Sequence, residues 1–567
     1  MATRMQELIA LAKARAAAMH APATQQTVLV EAVQEVLAPE PKGHYGVDRF
    51  GKAITWNEEQ WSFISSAVNR QSCILIGAAG TGKTTTMRSS VEALLQKNYY
   101  PAIDDTHKHL PSDTPGVVCV SYTRRAVLNL RKALPENMKG NCITIHKLLE
   151  YGPVFYQVVN SEGKEKTTMR FEPGRGEYKK LSENIKTIII DEASMVSVSL
   201  FYLIWKALPN PHAVQFIFLG DIQQLPPIFG SAILGFKMLK LPCTELTQVY
   251  RQALESPIIR LAHRILSGTS IPRSEFPNWC FKGQLTLHPW KKKISAENAL
   301  AILATFFSVA YDESRYLPDE DMILIPYNVS CGTDELNKHI ATHVARKNKR
   351  IVWEVLAGFN YTYFAVGDKV LYEKEDAIIT HIGKNPLYFG KWPQAASQQM
   401  DYWGSVAEDP NAVVAHDVVE VDDIDAMMQQ LELESAAEES SKERVRAASH
   451  EITLELAESG AEVKLSTAAD INALCMAYVL TVHKSQGSEW RKVFLCLHQS
   501  HAAMVQRELL YTAVTRAKEE LYVICEPDTF EKGIKGQRIK GNTLAEKAEF
   551  FKGKLEADEE GVLGIVL

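Results

Sequence analysis

No apolar run in this 567-residue chain approaches 18 residues, so no segment is expected to cross a bilayer as a helix. Its nine cysteines stand singly, at 73, 119, 142, 243, 280, 331, 475, 496 and 525, and no two form a CxxC pair. That removes a zinc ribbon and a disulfide framework from consideration. Several lie inside apolar runs, where a thiol behaves as a small hydrophobe, and a reducing, cytosol-like compartment is expected. Basic excess is missing too, because the formal net charge is −6. A protein coated in cation is excluded, but nucleic acid requires only a local basic track. No internal repeat of fixed period is found. The Ala-rich start carries Arg4, Lys13 and Arg15 but lacks a compact apolar core with a cleavage site. It reads as a surface helix rather than a secretory signal.

What is present is ordinary for a globular enzyme: 46% apolar and 23% charged residues. The length implies about three or four domains. Residues 1–50 are expected to form a helical extension ending near Pro39 and Pro41. From Trp56 onwards, short apolar runs alternate with helical patterns. Cys73–Ile76, Val117–Val120, Thr187–Ile190 and Gln215–Leu219 each read as a buried parallel strand. They predict a doubly wound α/β domain over 51–150 and 187–245. The intervening 151–186 reads as a β-hairpin, with Val154–Val159 and Lys164–Phe171 flanking the turn Asn160–Gly163. A second α/β domain is expected over 246–350 and 475–545, with strands at Met322–Ile325, Cys475–Leu480, Val493–Leu497 and Leu521–Cys525. Into it is set 351–474, where Val366–Leu371 and Ile452–Leu456 suggest a small β-barrel. Within that insertion Asp417–Glu443 is acidic and poor in aromatics, and reads as a helical excursion with a mobile end. Residues 546–567 form a tail.

The motifs that carry chemistry begin with Gly77-Ala78-Ala79-Gly80-Thr81-Gly82-Lys83-Thr84. A strand precedes it and the helical run Thr85–Gln96 follows. That order aims backbone N–H groups and the positive end of a helix at a polyphosphate. Gly77, Gly80 and Gly82 let the backbone close in, Lys83 neutralises the β- and γ-phosphates, and Thr84 and Thr85 open the helix. The Thr84 hydroxyl suits Mg²⁺. Asp191 and Glu192 end a hydrophobic strand, where an open α/β sheet exposes its chemistry. Asp191 suits the metal and Glu192 suits an attacking water. A third apolar strand ends at Gly220-Asp221-Ile222-Gln223-Gln224, and Gln224 is placed to sense a γ-phosphate.

Asp191-Glu192-Ala193-Ser194 and Gly220–Pro227 resemble motifs II and III of superfamily 1 helicases. Leu480–Trp490 resembles motif V and Leu510–Ala517 resembles motif VI, with wording similar to the RecD-like and Dda-like branch (superfamily 1B). The resemblance spans roughly residues 55–270 and 320–530 and implies two RecA-like motor domains, each a parallel sheet. It implies that the hairpin is the 1B pin and the later insertion the SH3-like 2B domain. It also implies roles for single residues. Gln60 would read the adenine edge, favouring ATP, while Gly487 and Glu489 would contact the nucleotide from motif V. Arg251, in the motif IV-like Leu246–Arg251, and Arg516 would close over the γ-phosphate as arginine fingers. Thr123, His146, Thr481, His483 and Lys484 would bind nucleic-acid phosphates. Tyr122 and Arg125 depart from the small residues usual at that motif.

The expectation is an ATP- and Mg²⁺-dependent DNA helicase that moves on single-stranded DNA, 5′ to 3′ by resemblance, and opens forked duplexes. Three alternatives stand beside it: an RNA helicase of the same superfamily, a translocase that strips proteins from single strands, and an ATP-gated interaction protein. A protein partner would engage through the N-terminal helices or the acidic segment, no membrane contact is expected, and the cytoplasm of a bacterial or phage-infected cell is the expected setting.

Overall fold

A computed structural model describes residues 54–103, 114–159, 165–228, 230–248, 256–271, 295–328, 331–357, 360–372, 375–388, 447–457 and 460–556. The expected N-terminal helical extension, the turn Asn160–Gly163, Arg251, the acidic Asp417–Glu443 stretch and the last residues of the tail lie outside the described residues. The chain divides into two units, Met1–Ser62 and Phe63–Leu567. Asn57, in the first, opens helix α1 (Glu58–Val68), whose residues from Phe63 on belong to the second, through a reciprocal cap. Gln60 N donates to Asn57 Oδ1 at 2.8 Å, and Asn57 N donates to Gln60 Oε1 at 3.3 Å. Two of the orphan donors of the first turn are satisfied that way.

The second unit contains a seven-stranded parallel sheet. Its strands are β1 (Cys73–Gly77), β2 (Tyr100–Pro101), β3 (Gly116–Ser121), β4 (Cys142–Thr144), β7 (Ile185–Asp191), β8 (Gln215–Gly220) and β9 (Cys243–Leu246). They run in the order β2-β3-β7-β8-β1-β9, with β4 also pairing β3. The apolar runs are continuous because both faces are covered, and alternate residues divide between two cores. Ile74, Ile76, Val118, Val120, Ile188, Ile190, Phe216 and Phe218 enter one. Cys73, Leu75, Val117, Cys119, Ile189, Ile217 and Leu219 enter the other. Helices α2 (Lys83–Gln96), α3 (Arg124–Ala133) and α4 (Val198–Ala207) follow β1, β3 and β7 in the chain.

Between β4 and β7 the antiparallel pair β5 (Gly152–Val159) and β6 (Glu165–Glu172) forms the expected hairpin, in register from Gly152↔Glu172 to Val159↔Glu165. A second parallel sheet, in the order β18-β10-β19-β20, is built from β10 (Asp321–Ile325), β18 (Val479–Thr481), β19 (Trp490–Leu497) and β20 (Ala517–Cys525). Met322, Leu324, Val493 and Leu495 point to one of its cores, Ile323, Ile325, Phe494 and Cys496 to the other. Helices α5 (Ala296–Asp312) and α6 (Thr333–Lys347) contribute to the second of these. Helix α7 (Arg507–Val514) contributes to the first.

The insertion between β10 and β18 has a core of its own. It comprises the pair β11 (Val352–Ala357) and β12 (Asn360–Ala365), and a five-stranded antiparallel sheet. That sheet runs β16-β15-β14-β13-β17, from β13 (Lys369–Tyr372), β14 (Glu375–Lys384), β15 (Ala447–Leu456), β16 (Glu462–Thr467) and β17 (Cys475–Met476).

Two strand expectations are corrected. Val366–Leu371 is not one strand, because Val366-Gly367-Asp368 is a turn. Gly367 takes φ +87°, a region that favours glycine, and Asp368 Oδ2 accepts from Ala365 N at 2.8 Å. Cys475–Leu480 is likewise shared between two sheets. Cys475 and Met476 pair antiparallel with Leu371 and Val370, whereas Val479–Thr481 pairs parallel with Ile323–Ile325. Asn337 makes the change possible: its Nδ2 donates to Val479 O and its Oδ1 accepts from Val479 N, both at 2.9 Å.

Phe494 anchors the second sheet. It stacks on Tyr522 at 4.8 Å and meets Phe307 and Tyr316 edge-on at 5.3 and 5.9 Å. Phe494→Ala should cost about 3–5 kcal/mol, read as a lower urea midpoint. A loss under about 1 kcal/mol would show that the site collapses or that the ring is not a packing anchor.

Candidate functional site

The carboxyl ends of β1, β3, β7 and β8 carry the first half of the site, as the edge rule for open α/β sheets requires. After β1 the chain wraps into a cradle. Gly80 and Gly82 take φ +81° and +89°, and Gly82 is the residue before helix α2. At Gly77 a Cβ would stand 2.4 Å from Thr81 Oγ1, so any side chain there would have to displace Thr81 from the loop. The Thr81 hydroxyl donates to Ala78 O at 2.8 Å. Lys83 Nζ folds over the loop and donates to Gly77 O and, at 3.2 Å, to Ala78 O. Thr84 and Thr85 face outward in the first turn of α2.

Asp191 and Glu192 sit at the end of β7, and Glu192 adopts φ 51°, ψ 41°. A left-handed glutamate is strained backbone, held here at the point where two carboxylates diverge. Burial, then the charge of Glu192, pushes the Asp191 carboxyl up to about 7, opposed by Lys83. Burial also raises Glu192, while Arg516 and Lys83 pull it down and Asp221 and Glu489 add to the rise. Lys83, Asp191 and Glu192 from the first sheet and Arg516 from the second therefore share one electrostatic environment. The Arg516 guanidinium is buried and donates to Thr512 O at 3.0 Å and to Ser488 O and Thr515 Oγ1 at 3.1 Å.

Among the described residues no group of three or more His, Cys, Asp or Glu could hold a metal. A divalent cation held by Thr84 and Asp191 would complete its oxygen shell from substrate phosphates and water, the habit of Mg²⁺. The donor set fits that ion.

Three residues whose role the sequence did not reveal join the two sheets through four hydrogen bonds. Tyr511, on α7, donates its hydroxyl proton to Asp221 Oδ2 at 2.6 Å and accepts from Ala79 N at 2.9 Å. Its neighbour Thr512 accepts from Leu225 N at 3.0 Å through Oγ1. Gln486 Nε2 donates to Leu225 O at 2.8 Å. The loop Asp221–Leu225 is thus bonded at both ends to the second sheet's elements. Gln224 lies within it, buried, with its Oε1 unpaired. An acid at a strand's end and a tyrosine on a helix of mixed composition were the only signals available in sequence.

The residues expected to touch nucleic acid have structural tasks as well. Thr123 caps α3, its Oγ1 accepting from Ala126 N at 3.1 Å. Gly487, at φ +76°, packs so closely that a Cβ there would lie 2.6 Å from Thr123 Oγ1. Thr481 Oγ1 accepts from Lys484 N at 3.2 Å, and Lys484 itself is exposed. Burial, aided by Arg538, pushes His483 down to about 4, so at neutral pH it is an uncharged imidazole. His146 meets Tyr122 and Tyr151 edge-on at 5.5 and 5.0 Å. Glu489 is half-exposed and lies 3.7 Å from Lys518 Nζ. Arg125 pairs with Asp376 of β14 and covers the Trp490 ring at 4.7 Å.

With this geometry in view, comparison with known proteins is informative. The AAA domain family matches residues 60–230, and the UvrD-like helicase C-terminal domain matches residues 476–524. The ATP-dependent RecD2 DNA helicase of Deinococcus radiodurans is 24% identical over 497 residues, covering 86% of this chain and 51% of that protein. The chain thus spans about half the length of that relative. The RecD subunit of the RecBCD enzyme of Haemophilus influenzae is 39% identical over 59 residues, 10% of this chain and 9% of that one. A solved structure of Bacteroides Pif1 bound to single-stranded DNA aligns at 14% identity with a TM-score of 0.43, over 88% of this chain and 98% of that one. The resemblance read from the motifs is borne out by the family and sequence matches.

The acid pair generates a pH test. Asp191 titrates near 3.8 in its ordinary state and at about 7 when folded. Below both values it is protonated in either state and adds nothing. Between them the unfolded chain releases a proton that the folded chain keeps, so stability falls as pH rises through this window. Without divalent cation, Asp191→Asn should gain on the order of 1–3 kcal/mol over the parent at about pH 8 and nearly nothing at about pH 4. Thermal melts across pH would read it, and an equal gain at both ends would rule out the burial account.

Proposed function

We propose that this chain, a sequence relative of the RecD-like superfamily 1 helicases, is an ATP-driven motor that moves along single-stranded DNA and opens duplexes. One observation carries the reading: groups suited to hydrolyse a polyphosphate are divided between two parallel sheets, and hydrogen bonds tie those sheets together across the gap. A hydrolysis site shared in this way turns substrate binding and release into relative motion of its halves.

In this reading the loop Gly77–Thr84 and the start of α2 hold the triphosphate, with Lys83 balancing its charge. Thr84 and Asp191 hold Mg²⁺, which supplies charge stabilisation on the phosphate oxygens. Glu192 orients the attacking water and takes its proton. The raised affinity of Glu192 for a proton suits that task, since a base works best with a pKa near the operating pH. Arg516 stabilises the transferring phosphoryl group from the second sheet, joined by Arg251. Gln224 senses the γ-phosphate by donating from its Nε2 amide, since its oxygen could only accept. Gln60 reads the adenine edge, and Gly487 and Glu489 contact the nucleotide from motif V.

Thr123, His146, Thr481, His483 and Lys484 line the strand track by bonding phosphates. They lie near the carboxyl ends of strands in both sheets, which supports one track across both. A neutral His483 would donate a hydrogen bond there rather than supply a charge. The hairpin β5–β6 acts as the pin that splits the fork, and the insertion with its own core is the SH3-like 2B domain. Movement 5′ to 3′ belongs to the same proposal, as do domains at 51–150 with 187–245 and at 246–350 with 475–545.

The experiment is steady-state ATP hydrolysis alone, with single-stranded DNA, and with RNA of matched sequence, followed by unwinding of tailed duplexes. Strong stimulation by DNA alone supports the reading, whereas equal stimulation by RNA favours an RNA motor. Glu192→Gln should lower kcat by roughly 10²–10⁴-fold while ATP binding persists. Lys83→Ala should abolish turnover, and near-normal turnover in either variant would sink the site assignment.

A further inference from the structure

We propose that Tyr511 is a positioning residue whose hydroxyl sets the alignment of Arg516 against the phosphate-binding loop. The inference rests on the ATP-hydrolysis reading and adds to it a residue with no assigned role. Its phenol has one proton to give and lone pairs to receive, and it uses both across the divide between the sheets. The proton goes to Asp221 Oδ2 at 2.6 Å, and the Ala79 amide of the phosphate-binding loop donates to the phenol oxygen of Tyr511 at 2.9 Å. Tyr511 and Asp221 are each about 1% exposed, so water cannot replace either partner. A buried carboxylate stripped of its donor, and an amide stripped of its acceptor, each carry a desolvation cost.

The helix that presents Tyr511 runs directly into the turn that holds the finger. Thr512 holds Leu225 N through its hydroxyl and accepts from Arg516 Nε through its carbonyl. Tyr511, Thr512 and Arg516 therefore form one rigid piece, fixed to the first sheet at Ala79, Asp221 and Leu225. Of these anchors, only the phenol reaches both the phosphate-binding loop and the Asp221–Leu225 loop. A shift of Ala79 or Asp221 is transmitted through one oxygen atom to the helix that leads into Arg516. Misplacement of a catalytic group by an ångström costs about 10²-fold in rate, so this single contact has leverage on turnover without touching substrate.

The test is Tyr511→Phe in the full chain, which keeps the ring and loses the hydroxyl. DNA-stimulated ATP hydrolysis should show kcat lowered roughly 10–100-fold, with KM for ATP and the affinity for a fluorescent ATP analogue changed less than about threefold. The decisive readout is a double-mutant cycle with Arg516→Ala. Since the tyrosine acts through the arginine, adding Tyr511→Phe to Arg516→Ala should cost little more. Additive losses, or a KM effect as large as the kcat effect, would overturn the proposal and leave Tyr511 a packing residue. If Tyr511→Phe fails to fold, 3-fluorotyrosine at 511 serves instead. Its more acidic hydroxyl donates more strongly to Asp221 and accepts less well from Ala79, so kcat should move at least about twofold with KM fixed. An unmoved kcat overturns the proposal. Wild-type protein separates the two levels of inference. If it hydrolyses no ATP under any condition, the functional reading falls and this one with it. If it does and the variants match it, only the role of Tyr511 falls.

Discussion

The constraint on which the rest depends is that α7 must satisfy two loops of a sheet to which it does not belong. Tyr511 serves Ala79 and Asp221, and Thr512 serves Leu225. A buried polar group left unpaired costs more than the bond it lost, so these loops and this helix have few alternative arrangements. Gln486, in the turn between β18 and β19, adds a second grip on Leu225. Parallel sheets expose their chemistry at the carboxyl ends of their strands. At those ends the first sheet meets the turns that lead into β19 and β20 of the second, which carry Ser488 and Arg516, and both sets of groups share one cleft.

Electrostatics within the cleft follow from crowding. Asp191 and Glu192 are adjacent, and burial disfavours charge on both. Lys83 and Arg516 offset part of that cost from opposite sides. The cluster is therefore held together by a balance that a bound cation or phosphate would tip. The left-handed backbone at Glu192 belongs to the same economy, since strain of that kind persists only where surrounding packing fixes it. His483 shows the opposite response: burial and the Arg538 charge keep its ring neutral.

Much of this architecture was legible in the sequence, for physical reasons that can be named. Buried parallel strands read as uninterrupted apolar runs, so Val117–Val120, Thr187–Ile190 and Gln215–Leu219 were recognisable without a partner in view. The phosphate-binding loop was legible because glycine spacing there answers a steric need, seen at Gly77 against Thr81. Failures came where meaning depends on a distant partner. Val366–Leu371 reads as a strand until Gly367 turns the chain, and Cys475–Leu480 reads as one strand although two sheets divide it. Tyr511 and Asp221 stand 290 positions apart, and no local pattern announces a hydrogen bond across that distance. Thr123 and Thr481 were marked for phosphates, yet each hydroxyl also stabilises a local turn or helix start, a double use that residue type alone does not disclose.

The shared run Cys475–Thr481 has a mechanical consequence. Between Met476, in the antiparallel sheet, and Val479, in the parallel one, only Ala477 and Tyr478 intervene, and both are fastened. Ala477 N donates to Lys369 O at 2.9 Å, and the Tyr478 hydroxyl donates to Asp368 Oδ1 at 3.1 Å. Tyr478 O in turn accepts from the Tyr316 hydroxyl at 3.2 Å. Two residues extend at most about 7 Å, so the join has no slack to absorb rotation. A displacement of the small sheet would therefore carry over to Thr481, His483 and Lys484, which lie within a few residues of the same short tether.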